Sequence, residues 1–433
     1  MPPLTDHPLR YSLTNELHAR PAPLIPVPGT AVFLALKPEQ DAVARDRGQD
    51  RAHLLDLLGR TGATHPPPEA THHGCQIGRH GLKWENHTEF TTFTAFSPGL
   101  PLRPFDPALF DVFPADWLEA APGVRVTSVL LMVDHLPVDE NGKLDEEAVA
   151  ARLGAWFVAE SLAVSLVLDG AGIVASDFRI DPAGHVRLAV FVHPATGPQR
   201  VGRIVQRLCE IETYKTMSML GLARARQVSE GMGALDRRLA ALVADMAAGL
   251  PRPEEALEAL MAVSAQLEQL EMSASFRFGA TRAYEALVHA RISVLREVRF
   301  QGRQTLAEFM QRRFDPAMRT VKAAEGRLAT LSERAMRAGR LLSTQVEVAR
   351  SAQNQAVLKS MDRRADLQLR LQHTVEGLSV VAISYYAVGL GANLALPLAE
   401  PLGMGKTGLM AVLTPLVVLA VWLALRRIRR GLE

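Results

Sequence analysis

Glu85, His87 and Glu89 stand at alternate positions in WENHTEF (84–90). Alternate residues of a strand share a face, so these three would project together, opposite Trp84, Asn86, Thr88 and Phe90. Glu16, His18 and Arg20 in LTNELHARP (13–21) alternate in the same way. Two imidazoles with several carboxylates form an oxygen and nitrogen donor set for a metal ion. The candidate ligands are Glu85, His87, Glu89 and His18. The plainer alternative is a buried network of hydrogen bonds and ion pairs that ties the N-terminal arm to a sheet. His72 and His73 lie near Cys75 but follow Pro66-Pro67-Pro68 and have no second ligand pair at zinc-like spacing. They read as a surface loop. Glu212, Tyr214 and Lys215 in CEIETYK (209–215) read as contacts between a globular domain and helices rather than as catalytic groups.

Two motif fragments do not develop into sites. Gly403-Met404-Gly405-Lys406-Thr407 looks like the end of a phosphate loop. The full pattern needs glycine at position 400, where this chain has Glu400, and a preceding strand. Asp139-Glu140-Asn141-Gly142 hints at a calcium loop, but its twelfth position is Ala150 instead of glutamate. The sequence shows no nucleophile–base pairing and no glycine-rich cofactor loop. The expectation is a protein that is not an enzyme and carries no cofactor.

The elements that would position these residues fall into two regions. Residues 1–198 are rich in Pro, Gly and His and read as a mixed α/β domain. Short β-like runs occur at 31–36, 89–96, 125–133, 163–168 and 185–193. Asp181-Pro182-Ala183-Gly184 is a turn signal. Segments 39–60 and 144–157 have helical spacing, the second opening on Asp145-Glu146-Glu147, which suits the positive end of a helix dipole. From 199 to 376 the only prolines are Pro251, Pro253 and Pro316, and Ala, Leu, Arg, Glu and Gln dominate. Prolines start or break helices, which predicts helical segments at 199–248, 254–313 and from 316 onward. The last has no proline before Pro397. Its Leu328, Leu331, Ala335, Ala338, Leu342, Ala349, Ala352 and Ala356 fall mostly at three- and four-residue spacing. That stripe suits a helical bundle or coiled-coil stalk, within one chain or between subunits. The fold class expected is α+β.

The tail holds two uncharged apolar runs, 377–399 and 407–425, separated by the loop 400–406. A helix needs about 20 such residues to cross a bilayer core, so the runs predict a transmembrane hairpin. Arg363, Arg364 and Arg370 precede the first run, and Arg426, Arg427, Arg429 and Arg430 follow the second. Basic residues at span ends favour the cytoplasmic side, which predicts two cytoplasmic termini and a short outer loop. The start of the chain has no apolar core with a cleavage site. Two cysteines in 433 residues suit a reducing compartment. A formal net charge of +2 is too small to suggest nucleic-acid binding.

Within the first run, Ser379, Ala382, Tyr386, Gly389 and Asn393 keep three-four spacing and share a helical face. This stripe either packs spans together or lines a pore in an oligomer. No charge lies within either run, which argues against an intramembrane proton relay. For a pore, Asn393 and Glu400 are the outer-mouth candidates and Glu376 the inner one. Rings of such groups attract cations.

Five segments carry a resemblance: LTNELHARP (13–21), WENHTEF (84–90), GRIVQRLCEIETYKTMSMLGLA (202–223), RFGATRAYEALVHARISVLRE (277–297) and MDRRADLQLRLQHTVEGLSVVAISYY (361–386). They resemble the motifs of an uncharacterised bacterial family of membrane-anchored proteins, domain-of-unknown-function family 3422, over nearly the whole chain. That family implies no activity and no catalytic residues. The layout is also similar to the CorA-type magnesium transporters. These have a cytoplasmic α/β domain, a long helix continuing into the first span, a second span and a basic tail, and assemble as pentamers. Their Gly-Met-Asn signature is replaced here by Gly391-Ala392-Asn393. The expectation is a bacterial inner-membrane homo-oligomer with two spans per subunit. Its role is either a CorA-like channel for a divalent cation or a membrane-tethered scaffold or sensor.

Overall fold

The computed structural model describes residues 4–11, 13, 14, 21–39, 45–140, 143–248, 253–399 and 405–430. They form an α+β protein of two compact units. The first comprises Met1–Ala248 and Ala259–Ala338, and the second Gly249–Glu258 and Gly339–Glu433.

The first unit is built on one sheet. Strands β1 (Gly29–Lys37), β2 (His72–Ile77), β3 (His80–Asn86), β4 (Thr91–Pro98), β5 (Val124–His135), β6 (Ala163–Val167), β7 (Gly172–Ser176), β8 (Val186–Val192) and β9 (Val298–Arg299) take the order β2-β3-β4-β1-β5-β8-β7-β6-β9. Every pairing is antiparallel except β5 with β8. A parallel pair needs a crossover. Here it contains helix α3 (Glu146–Trp156) and the β6–β7 hairpin. The Asp145 side chain caps α3 by accepting from the Ala148 amide (2.9 Å), with Glu146 and Glu147 in the first turn. This is the helix start read from the acidic cluster. The Asp181–Gly184 turn also forms, closed by the Gly184 amide on the Asp181 carbonyl (2.9 Å), with Gly184 at φ +89°.

Both faces of the central strands are covered, so β1 is buried at all nine residues. On one face, α1 (Arg47–Thr61), α2 (Ala115–Glu119) and α3 bring Leu54, Leu57, Leu58, Trp117, Val149 and Leu153 against Val32, Leu34, Trp84, Phe93 and Phe191. On the other lies α4 (Pro198–Ala247), with Val201, Ile204, Val205, Leu208 and Ile211 buried at helical spacing. Helix α5 (Pro253–Ser293) approaches α4 closely at one glycine. A Cβ on Gly221 would stand 2.1 Å from Thr281 Oγ1. Gly221→Leu is therefore expected to lower the unfolding free energy by roughly 1–3 kcal/mol through overpacking, read from the urea midpoint.

Three expectations need correction. The segment 254–313 is not one helix. After α5 the chain leaves the helical path and β9 pairs with β6, before α6 (Leu306–Arg313) begins. Arg296, Gln301 and Gly302 have positive φ (49°, 48° and 67°). Glu297 fastens this break. Its carboxylate accepts from Ser165 Oγ (2.6 Å) and from the amides of Leu306 (3.1 Å) and Ala307 (3.0 Å). Burial raises its pKa. His72 and His73 do not lie in a loop, because HHGCQI is the edge strand β2, paired residue by residue with β3. Finally, β3 ends at Asn86 and the chain turns, with the His87 amide bonded to the Phe90 carbonyl (2.9 Å). The alternating face read across 84–90 is therefore interrupted.

The second unit holds most of two helices that carry the apolar tail. Helix α7 (Asp315–Ala399) runs without a break past Pro397, and α8 (Lys406–Arg430) contains Pro415. Each contains a stretch long and apolar enough to cross a membrane.

Candidate functional site

The conspicuous polar cluster of the first unit lies between the sheet and helices α4 and α5. Strand β3 directs Trp84 into the core and the flanking Lys83 and Glu85 toward α4, as strand alternation requires. Helix α4 answers with Gln206, Cys209, Glu210, Thr213 and Tyr214, which share a face by their three-four spacing. Helix α5 supplies Arg277, Tyr284 and Arg291, each seven residues from the next, or about two turns.

These groups form two sets of polar contacts with stacked aromatic rings between them. Lys83 Nζ lies 3.2 Å from Glu85 Oε1 and donates to Gln206 Oε1 (3.1 Å). Gln206 Nε2 donates to Glu210 Oε1 (2.7 Å), and Arg291 Nε donates to Glu210 Oε2. Arg277 donates to Glu89, whose side chain is 3% exposed. Tyr214 and Tyr284 stack at 5.7 Å, and Phe90 meets both rings. Burial pushes the Tyr284 phenol up, assisted by the charge of Glu89. Burial lowers the Lys37 ammonium, with Arg277 acting in the same direction.

This arrangement explains the fate of the metal candidates. Glu85 is engaged by Lys83 and Glu89 by Arg277, while His87 stacks on Phe90 at 4.4 Å. Among the described residues, no group of three or more His, Cys, Asp or Glu is placed to hold a metal ion. His18 lies outside the described residues. The cleft bordered by Lys83, Glu85, Gln206 and Cys209 has about 20 Å³ of internal space, room for a water molecule rather than a substrate. Full burial raises the Cys209 thiol, and the thiolate is the nucleophilic form. Nearby, Lys215 Nζ holds Glu212 at 2.7 Å and sits 4.9 Å from the Phe178 ring centre. The contacts of this cluster attach α4 and α5 to the sheet. The α5 cations at 277 and 291 were not singled out from the sequence, although their seven-residue spacing around Tyr284 is a readable signal.

The second site is the helical hairpin. Ser384, Val388 and Ala392, spaced by four, are the buried face of α7 in this segment. A groove of about 650 Å³ between α7 and α8 is bordered by Ser384, Tyr386, Gly389 and Asn393 on α7 and by Met410, Thr414 and Val418 on α8. Three of the five stripe residues thus border the groove. Ser379 and Ala382 do not border it, and Ser379 Oγ bonds back to the Val375 carbonyl (2.8 Å). Tyr386 is 71% exposed, and Ala382 and Asn393 are exposed. The stripe therefore lies largely off the buried face. Ser384, which the stripe did not include, has a buried hydroxyl without a hydrogen-bond partner among the described residues. Its sequence signal is small and apolar residues repeating at i, i+4 and i+8.

At the ends of the hairpin, Glu376 is exposed and lies 3.7 Å from His373 Nδ1. Glu400 falls outside the described residues. Arg363, Arg364 and Arg370 are exposed on α7. On α8, Arg426 lies over the Trp422 ring (5.0 Å) and Arg427 is exposed. Arg429 and Arg430 belong to the same helix, but their side chains lie outside the description.

No curated protein and no solved structure matches this chain. Residues 5–432 match a family described as "Protein of unknown function (DUF3422)". With nearly its full length matched, the chain belongs to the DUF3422 family.

Proposed function

We propose that this protein is a bacterial inner-membrane homo-oligomer with two spans per subunit and both termini in the cytoplasm. Its first spans together would form a path for cations. The observation that carries this reading is the two-sidedness of α7 between 377 and 399. Ser384, Val388 and Ala392 are covered, while Tyr386 and Asn393 remain exposed in a segment without charged residues. Polar groups at membrane depth need protein or water beside them. Two helices cannot enclose a wide path, so other subunits must complete it. Glu376 at one end of the span and Glu400 at the other would concentrate cations. The basic flanks at Arg363, Arg364 and Arg370, and at Arg426, Arg427, Arg429 and Arg430, would hold the Glu376 end and the C-terminus on the cytoplasmic side, leaving Glu400 outside.

Flux of a divalent cation into proteoliposomes of the full-length protein tests this reading. Asn393→Leu is expected to lower flux by roughly tenfold, because it removes a polar group from the path. Flux unchanged in both Asn393→Leu and Tyr386→Phe eliminates this lining. The second reading, a membrane-tethered scaffold, draws support from β2 at one end of the sheet, whose outer side pairs with no strand among the described residues. Exposed strand edges accept added strands. It predicts no flux, and a defined protein that co-purifies with the wild type but is lost when Gly74→Pro blocks that edge.

A further inference from the structure

We infer that α7 carries a self-association seam, centred on Leu367, Leu371, Val375 and Leu378, that receives the same segment of a second copy in parallel orientation. These four side chains are 65%, 67%, 57% and 73% exposed. Their spacings of four, four and three place them on one side of a helix with 3.6 residues per turn. Ala382 and Gly389 continue that side. At about 100° per residue, the seam lies roughly 100° around α7 from the buried Ser384, Val388 and Ala392. Helix α8 and a second copy can therefore occupy different sides of the same helix.

The identity of the occupant follows from where the seam runs. Leu367, Leu371 and Val375 are interleaved with Asp366, Arg370 and Glu376, so this half stands in water, where lipid cannot cover it. Leu378, Ala382 and Gly389 fall in the uncharged run, where small residues permit close helix approach. A single occupant of the whole seam must be a helix that passes from water into hydrocarbon at the same level. The α7 helix of a parallel second copy has this pattern at every position. Leucine and valine meet their equivalents below the membrane, and within it Ala382 and Gly389 meet theirs together with Tyr385, which falls on the same side and is 76% exposed. Closed homo-oligomers form by such repetition of one surface. An isolated exposed helix of this kind is not stable without a partner.

The inference rests on the reading that α7 enters the membrane, and it does not require conduction. Single cysteines are placed at Leu367, Leu371, Val375 and Leu378, and at Asp366 and His373 on other sides of the helix. The full-length variants are oxidised in native membranes with copper-phenanthroline. The wild type, with Cys75 half-buried and Cys209 buried, is the background. The four seam positions are expected to yield at least about fivefold more disulfide-linked dimer than Asp366→Cys and His373→Cys, following the helical period. Equal yields on all sides, or no dimer above the wild type at any position, overturns the seam. Face-specific dimers in a protein that passes no ions remove the channel reading and leave the seam standing.

Discussion

Arg277→Ala is expected to destabilise the sheet-bearing unit by about 3–5 kcal/mol, the cost of leaving a buried charge without its partner. Glu89 is 2% exposed as a residue, and its carboxylate receives the Arg277 guanidinium between the sheet and α5. Removing the cation strands this carboxylate next to Phe90 and Tyr284, where water has little access. Glu89→Ala should cost a similar amount by stranding Arg277. The double substitution Glu89→Leu/Arg277→Met should be far less damaging than the sum, since a buried pair replaced by apolar groups of similar volume is often close to neutral. Urea unfolding of the full-length protein, followed by tryptophan fluorescence, supplies the four corners of the cycle. Additive losses would show that the two groups do not act as a pair. Activity of the hairpin is not the readout, so this prediction stands apart from any assignment of function.

Acidification from about pH 6.5 to about pH 4 is expected to remove roughly 3 kcal/mol of stability through His53 alone. Its ring stacks on Trp117 at 4.0 Å, meets Phe93 edge-on at 6.1 Å, and leaves Nε2 buried without a hydrogen-bond partner among the described residues. Burial lowers its pKa from 6.5 to about 4. The unfolded chain therefore binds a proton in this window and the folded chain does not, so stability falls as pH falls. Below about pH 4 both states are protonated and the loss levels off. Burial also lowers His185, which stacks on Phe110 at 4.1 Å and adds to the loss in the same direction. Asp50 and Glu297 are raised by burial and act in the opposite sense near the carboxylate range. His53→Phe keeps a ring of similar shape against Trp117 and cannot titrate. Its urea midpoint should fall much less than that of the wild type across this window, by the part that His185 contributes. A parallel decline in both proteins would remove His53 as the cause.

These two predictions concern residues of very different legibility. Glu89 stood out in WENHTEF because a carboxylate beside alternating His and Glu suggests a ligand. Its actual partner lies 188 residues away on α5, a pairing that no local pattern contains. His53 falls on the core face of a helix with apolar neighbours, and one-dimensional spacing does not say whether a histidine there meets a carboxylate or a tryptophan. Both environments follow from long-range packing. The same holds for β2 and β9. HHGCQI has little strand character of its own and is extended because β3 offers it a ladder. Val298–Arg299 joins the sheet through its pairing with β6.

By itself the sequence determined what repeats along the chain. Proline spacing and helix-forming composition marked α4 and the unbroken path of α7. Short β-like apolar runs marked β1, β5 and β8, and charge-free length marked the two stretches able to cross a bilayer. These properties come from local backbone geometry and from the transfer of contiguous side chains, so neighbours in sequence suffice to read them. Tertiary structure alone decided which side of α7 is buried at Ser384, which carboxylate meets which cation, and that the polar cluster encloses only a water-sized space. Those outcomes depend on surfaces brought together from distant parts of the chain, where burial and charge pairing act through space rather than along the backbone.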